Sequence, residues 1–197
     1  MNMMVLGLTG GTGCGKSTAA AHLQKKGARI IDADAISRAL MQPGSSALAE
    51  VAAHFEGVLK GDGSLDRKKL ASLVFHDEYL LTKLNSITHK YIIQEIEAAL
   101  LETTGPLTVI DAPLLFEAGL DRLCDVTLCI LADHDTRVKR IMSRDGLTEE
   151  EADARIQAQK NDDYYKSRCH YTLCNNHDPE AMLEALDAIL KEIFCEA

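Results

Sequence analysis

Close to the start of the chain, an apolar run, Val5-Leu6-Gly7-Leu8, leads into Thr9-Gly10-Gly11-Thr12-Gly13-Cys14-Gly15-Lys16-Ser17-Thr18. Gly10-x-x-x-x-Gly15-Lys16-Ser17 meets every required position of the phosphate-binding P-loop pattern. Glycines let backbone N–H groups turn inward and form a concave nest for phosphate oxygens, with no Cβ in the way. A helix starting near Lys16 adds its unpaired N–H groups and the positive end of its dipole. Gly11, Thr12, Gly13, Cys14 and Gly15 are therefore expected to wrap a nucleotide phosphate, followed by Lys16, Ser17 and Thr18. Lys16 can reach the β- and γ-phosphates, and the Ser17 hydroxyl can ligate Mg²⁺. Cys14 reads either as a thiol activated by helix amides or as a small side chain that merely fits, and the second reading is preferred.

Other residues with chemistry follow at strand ends. Ile30-Ile31-Asp32-Ala33-Asp34 and Val109-Ile110-Asp111 each end an apolar run in acid. Asp34 could cap the next helix, but a carboxylate beside phosphates also suits a metal or an acceptor hydroxyl. Function is expected of Asp34, and structure or metal support of Asp32. Two roles are open for Asp111: holding Mg²⁺ through water, or a strand-end acid fixed by Pro113. Further on, Arg137, Arg140 and Arg144 fall at helical spacings of three and four, which puts three guanidinium groups on one face. A charge run is usually a solvated face. In a chain with a phosphate loop, the expectation is a lid that closes over phosphates and neutralises charge during transfer. His89 lies one position past the apolar line of a long helix, and spacing alone assigns it nothing.

The elements that must position these residues read as an α/β pattern. A strand, the phosphate loop, a helix over Ser17–Lys26 closed by Gly27, and a strand over Ala28–Ile31 make a βαβ unit of a parallel sheet. In such sheets the ligand crevice lies beyond the carboxyl ends of the strands, so Asp32, Asp34 and Lys16 share one edge. From Ile36 to about Thr104 the pattern is helical, with helices over Ala35–Met41, about Asp66–Phe75 and Glu78–Glu102, and Gly61-Asp62-Gly63 as a tight loop. Strands return at Leu107–Ile110, Val126–Leu131 and near Tyr171, and Pro179–Phe194 is an amphipathic helix. The expected fold is a P-loop NTPase-type three-layer α/β domain with a parallel sheet. Its core is 1–35, 105–134 and 169–197, its helical acceptor-binding insertion 36–104, and its helical lid 135–168.

Composition narrows the partners. The 197 residues carry 21 Lys and Arg against 30 Asp and Glu, a net charge of −9, which disfavours nucleic acid and anionic membranes. No apolar run approaches the ~20 residues that span a bilayer, and Met1–Leu8 reads as a strand and not a signal peptide. Six scattered cysteines without a Cys-x-x-Cys pair suggest reduced thiols and a cytoplasmic location. Cys169-His170, Cys174 and His177 match no common zinc spacing. With no Asn-Lys-x-Asp guanine element and no basic track, a switch GTPase and a nucleic-acid motor are disfavoured. A phosphotransferase with its acceptor site in the helical insertion remains.

At this point the residues resemble a family. Leu8-Thr9-Gly10-Gly11-x-Gly13-x-Gly15-Lys16-Ser17, Ile31-Asp32-Ala33-Asp34, Arg38 with Pro43-Gly44, Leu84-Asn85 with His89, and Pro113-Leu114-Leu115-Phe116-Glu117 look like dephospho-coenzyme A kinases. Arg140, Arg144-Asp145-Gly146, Arg155, Gln159 and Asn175 continue the match in order over almost the whole chain. The resemblance implies ATP-dependent, Mg²⁺-assisted phosphorylation of the ribose 3′-hydroxyl of dephospho-coenzyme A, the last step of coenzyme A synthesis, by a monomer or weak homo-oligomer. It implies that Asp34 positions or deprotonates the acceptor hydroxyl, with Lys16 and Arg140 supplying positive charge. Thr9, Arg38, His89, Pro113, Leu115 and Glu117 match positions that line or support the acceptor site, Arg140 and Asn175 match positions near ATP, and Arg144 of the expected lid is counted with the ATP-binding residues. Two departures stand out: Lys90 replaces a usual proline after His89, and Arg168-Cys169-His170 replaces a usual Ala-Asp before the last strand. A kinase for another hydroxylated metabolite and a non-catalytic nucleotide-binding regulator are the alternatives.

Overall fold

A computed structural model describes residues 3–176 and 178–196. Five parallel strands form one sheet in the order β2-β3-β1-β4-β5: β1 Met4–Thr9, β2 Arg29–Asp32, β3 Leu107–Asp111, β4 Val126–Leu131 and β5 Tyr171–Cys174. The β1–β2 connection runs to one side of β1 and the β3–β4 connection to the other, so the ends of β1 and β3 open on a crevice. Alternation along β1 makes the layers. Leu6 and Leu8 pack with Leu23, Ile130 and Leu186 on one face, whereas Val5 packs with Ile31, Ile96 and Ile110 on the other. Helix α1 (Lys16–Lys25) and the C-terminal α9 (Pro179–Glu196) cover the first face.

The insertion consists of α2 (Ala33–Leu40), α3 (Ser46–His54), α4 (Arg67–Val74) and α5 (Glu78–Leu101). Its core is separate from the sheet's: Leu48, Val51, Phe55, Leu70, Val74 and Ile87 bury one another. Helix α5 belongs to both bodies. Its N-terminal part carries Leu80, Leu84, Ile87 and Tyr91 into the insertion core, and the remainder lays Ile92 and Ile96 on the sheet. A helix of 24 residues spans roughly 36 Å, long enough to tie one body to the other. Lys90 keeps the backbone N–H that a proline would lack, and α5 continues through it without a break. The Lys90 ammonium pairs with Glu50 of α3 at 2.6 Å.

After β4, α6 (His134–Asp145) and α7 (Glu149–Gln157) pack on each other through Val138, Ile141, Ala152 and Ile156. A capping box between Thr148 and Glu151 starts α7. Helix α8 (Asp162–Lys166) rests on the sheet, with Tyr165 against Cys129 and Leu131.

One correction concerns local structure. Helix α2 begins at Ala33, earlier than Ala35, so Asp32 is its cap and accepts the Ala35 N–H at 2.9 Å. Asp34 is thereby released from capping and stands exposed in the first turn. The six cysteines form no disulfide, and Cys14 is fully buried with its thiol pKa pushed up by that burial, as the small-side-chain reading requires. His177 lies outside the described residues, among which no His, Cys, Asp and Glu group could hold a metal by itself. No described helix is long and apolar enough to cross a membrane.

Candidate active site

The loop between β1 and α1 is built to leave amides open. Gly15 is the N-cap of α1 with φ 98°, a left-handed conformation that glycine adopts without strain, and no side chain caps the helix. The Cys14 amide is taken by the Gly11 carbonyl and the Thr18 amide by the Gly15 carbonyl. Those of Gly13, Gly15, Lys16 and Ser17 have no acceptor among the described residues. They surround one end of a cavity of about 1010 Å³.

The back of the loop is fastened by side chains from elsewhere. The Thr12 carbonyl accepts from Arg137 Nε at 2.9 Å, the Gly13 carbonyl from Arg140 Nη1 at 3.3 Å, and the Cys14 carbonyl from Asn175 Nδ2 at 2.8 Å. Arg140 Nη2 also donates to Asn175 Oδ1 at 3.3 Å. Carbonyls held outward in this way leave the neighbouring N–H groups free to face the cavity. The arginine face expected from spacing is present on α6, but its members divide. Arg137 is 6% exposed and serves the loop from behind, Arg140 lies between loop and cavity, and Arg144 faces the cavity. Arg144 forks onto Asp145 with both contacts at 2.8 Å, and Arg155 of α7 meets the same carboxylate at 2.5 Å. That pairing holds the Asp145 carboxyl below the usual carboxylate range. It also sets two guanidinium groups side by side in the cavity wall.

Across the loop, Lys16 is ion-paired with Asp111 at the end of β3, both side chains being mostly buried. Burial pushes the Asp111 carboxyl above the ordinary range, although the Lys16 ammonium pulls it down. Its contact in the structure is with the lysine, which neither sequence-based role for Asp111 included.

A second cavity of about 200 Å³ lies on the insertion side, between α2, α5 and the chain following β3. Its wall includes Leu84, Asn85, Thr88, His89, Ile92 and Leu120. Burial lowers the His89 pKa, with Glu117 opposing, and Glu117 Oε2 is buried with no hydrogen-bond partner among the described residues. Asp34, Pro113 and Leu114 belong to the walls of both cavities.

Gly11, Thr12, Gly13, Gly15, Lys16, Ser17, Thr18, Asp34, Pro113, Arg140, Arg144 and Asn175 all line the large cavity, and His89 the small one. Five expected residues do not line either, Glu117 among them, which approaches His89 from behind the wall. Cys14 is buried beneath the loop, its amide and carbonyl both engaged. Thr9 is fully buried and gives its hydroxyl to the Pro113 carbonyl at 3.2 Å, so it supports the turn. Leu115 is fully buried in the sheet core because the turn points it inward, and Leu114 takes the cavity wall instead. Arg38 is exposed on α2, 3.8 Å from Asp32. Spacing missed Lys139 and Ser143, which join the wall from α6, and gave no role to Gln159, whose Oε1 accepts the Thr12 N–H at 2.8 Å.

A phosphate loop after the central strand of a parallel 2-3-1-4-5 sheet, an arginine-bearing helix pair above it and an adjoining cavity under a helical insertion define a P-loop kinase. The family model for dephospho-CoA kinase matches residues 4–180, and the chain belongs to that family. A dephospho-CoA kinase of Anaeromyxobacter dehalogenans is 43% identical over 195 residues, covering 97% of this chain and 92% of the relative. Among solved structures, a Thermus thermophilus protein superposes with a TM-score of 0.83 at 35% identity, with 98% of each chain covered. The dephospho-CoA kinase of Campylobacter jejuni gives 0.69 at 25% identity over 96% of each chain. The protein is therefore an enzyme of the transferase class, and the kinase reading of the loop holds.

Proposed function

We propose that the chain transfers the γ-phosphoryl group of ATP to the ribose 3′-hydroxyl of dephospho-coenzyme A, completing coenzyme A synthesis. The observation that carries this reading is the position of Asp34, the one acid among the described residues in the walls of both cavities. The large cavity, with its open amides and cations, suits a nucleoside triphosphate, and the small, mainly apolar one suits part of the acceptor. Asp34 stands where donor and acceptor would meet.

The chemistry then follows from phosphoryl transfer. The acceptor oxygen bonds to the γ-phosphorus as the bond to the β-bridging oxygen breaks, ADP leaves, and the acceptor proton passes to the Asp34 carboxylate. The transition state is loose, so positioning and charge neutralisation dominate, and a weak base suffices. Lys16 exchanges or shares its Asp111 partner with the phosphates, while Arg140, Arg144 and Arg155 face the transferring group. The Ser17 hydroxyl fits Mg²⁺. It is exposed in the large cavity with no hydrogen-bond partner among the described residues, and a single hard oxygen suits an ion that takes most ligands from phosphate and water. Such an ion, when bound, neutralises phosphate charge. Exclusion of water by the α6–α7 pair limits ATP hydrolysis. The net charge of −9 supports a small-molecule acceptor over nucleic acid.

A coupled ADP-release assay across acceptors tests the proposal. ADP formation that requires dephospho-coenzyme A is the expected result. ADP formation with another hydroxylated metabolite alone, or nucleotide binding with no turnover, would replace it.

A further inference from the structure

The contacts behind the loop include one that crosses from the α6–α7 pair to the loop's apex. Gln159, just beyond α7, points its Oε1 at the loop, where it accepts from the Thr12 N–H at 2.8 Å and from Arg137 Nη2 at 2.9 Å. Arg137 Nε in turn donates to the Thr12 carbonyl at 2.9 Å. Both backbone polar groups of residue 12 are thus held by a pair of side chains that also hold each other. Arg137 is 6% exposed, so its charge is withdrawn from water and stays in place through these contacts and Asp162 at 4.0 Å. The approach is close enough to dictate a neighbour. A Cβ at Gly11 would stand 2.5 Å from Arg137 Nη2 and 3.0 Å from Gln159 Oε1.

We infer that Gln159 and Arg137 are positioning residues for the donor nucleotide. They clamp the Thr12 backbone so that the following Gly13 amide, φ 78°, is presented to phosphate before ATP arrives. Gln159 would otherwise read as a cavity-wall residue meant for the ligand. Its acceptor oxygen is, however, already shared between two protein donors. The clamp also makes the shape of the loop depend on the segment that follows α7. The inference rests on the proposed ATP-dependent reaction for its kinetic consequence, but not for its structural one.

The test is Gln159→Met, similar in length and lacking the acceptor oxygen, alone and combined with Arg137→Lys, which removes the fork. Loss of one such hydrogen bond corresponds to roughly a three- to tenfold change in an equilibrium. The KM for ATP is expected to rise by that factor while the KM for dephospho-coenzyme A stays within about twofold. Exchange of the Thr12 amide in the nucleotide-free protein should accelerate to the same degree. The double variant should lose little more than the worse single one, because both act through one peptide. An unchanged ATP KM with unchanged Thr12 exchange in a folded Gln159→Met protein overturns the inference. So does a variant whose melting temperature falls while both KM values move together. If the wild-type chain fails to phosphorylate dephospho-coenzyme A, the functional reading is lost, and Thr12 exchange still decides the clamp. Should Arg137→Lys not fold, Gln159→Met decides it alone.

Discussion

Asn175 separates support of the loop from contact with the ligand. Its side chain is 4% exposed, Nδ2 donates to the Cys14 carbonyl at 2.8 Å, and Oδ1 accepts from Arg140 at 3.3 Å. Replacing it with alanine leaves the buried Cys14 carbonyl without a donor, an expense of about 1–3 kcal/mol. The Arg140 contact is longer and borders the open cavity, where water can substitute, so it adds little. A net loss of about 2 kcal/mol corresponds to a melting temperature lower by roughly 4–8 °C for a chain of this size. Asn175→Asp makes the distinction sharper. The carboxylate still accepts from Arg140 but cannot donate to the Cys14 carbonyl, and it sets oxygen against oxygen. If the Cys14 contact dominates, both variants lose stability in the nucleotide-free protein, the aspartate at least as much as the alanine. Thermal unfolding with and without ATP reads this directly. A wild-type melting temperature in Asn175→Asp, with a loss confined to Asn175→Ala, would refute the account and place the weight on Arg140.

Other predictions follow from the same geometry. Lys16→Ala should slow transfer by about two to three orders of magnitude, the scale of a lost charge contact to the transferring group; single-turnover kinetics measure it, and near-normal rates would remove Lys16 from the mechanism. Half-buried His89 has its pKa lowered by burial, so the folded state favours its neutral form. The stability this confers is full above about pH 6.5, the unfolded value, and is lost as pH falls through the lower folded value. His89→Gln should therefore flatten that acid limb of a melting-temperature profile taken between about pH 5 and 8, and a profile of unchanged steepness would contradict it.

The elements were legible because apolar periodicity and turn residues agree along most of the chain. The run at Val126–Leu131 and the long helix beginning at Glu78 stand where their patterns place them. The phosphate loop was legible for a different reason: its function needs backbone shape, and backbone shape needs glycine at set intervals. Less visible was the apparatus behind the loop. Asn175 and Gln159 each meet it across 145 or more residues of sequence, and a single amide side chain has no periodic signature. The arginine spacing predicted a shared face but not its division, since burial of Arg137 depends on the loop packed over it. Thr9 and Leu115 are polar and apolar versions of one lesson. Residues beside a site can be consumed in holding it, as Thr9 is by the Pro113 carbonyl and Leu115 by the sheet core. Asp32 and Asp34 were told apart by the chemistry expected of them, but the cap was offered to Asp34, and the true start of α2 gives it to Asp32.

The central claim is that Asp34 stands between donor and acceptor and takes the acceptor proton. Asp34→Asn preserves shape and removes the charge, and Asp32, not Asp34, caps α2, so the helix should be unaffected. The decisive measurement is the single-turnover rate of phosphoryl transfer to dephospho-coenzyme A in this variant, beside its ATP affinity. The expected result is a rate lower by about two to four orders of magnitude, the contribution of a positioned general base, with ATP affinity within a few-fold of wild type. Wild-type turnover in Asp34→Asn would contradict the assignment outright.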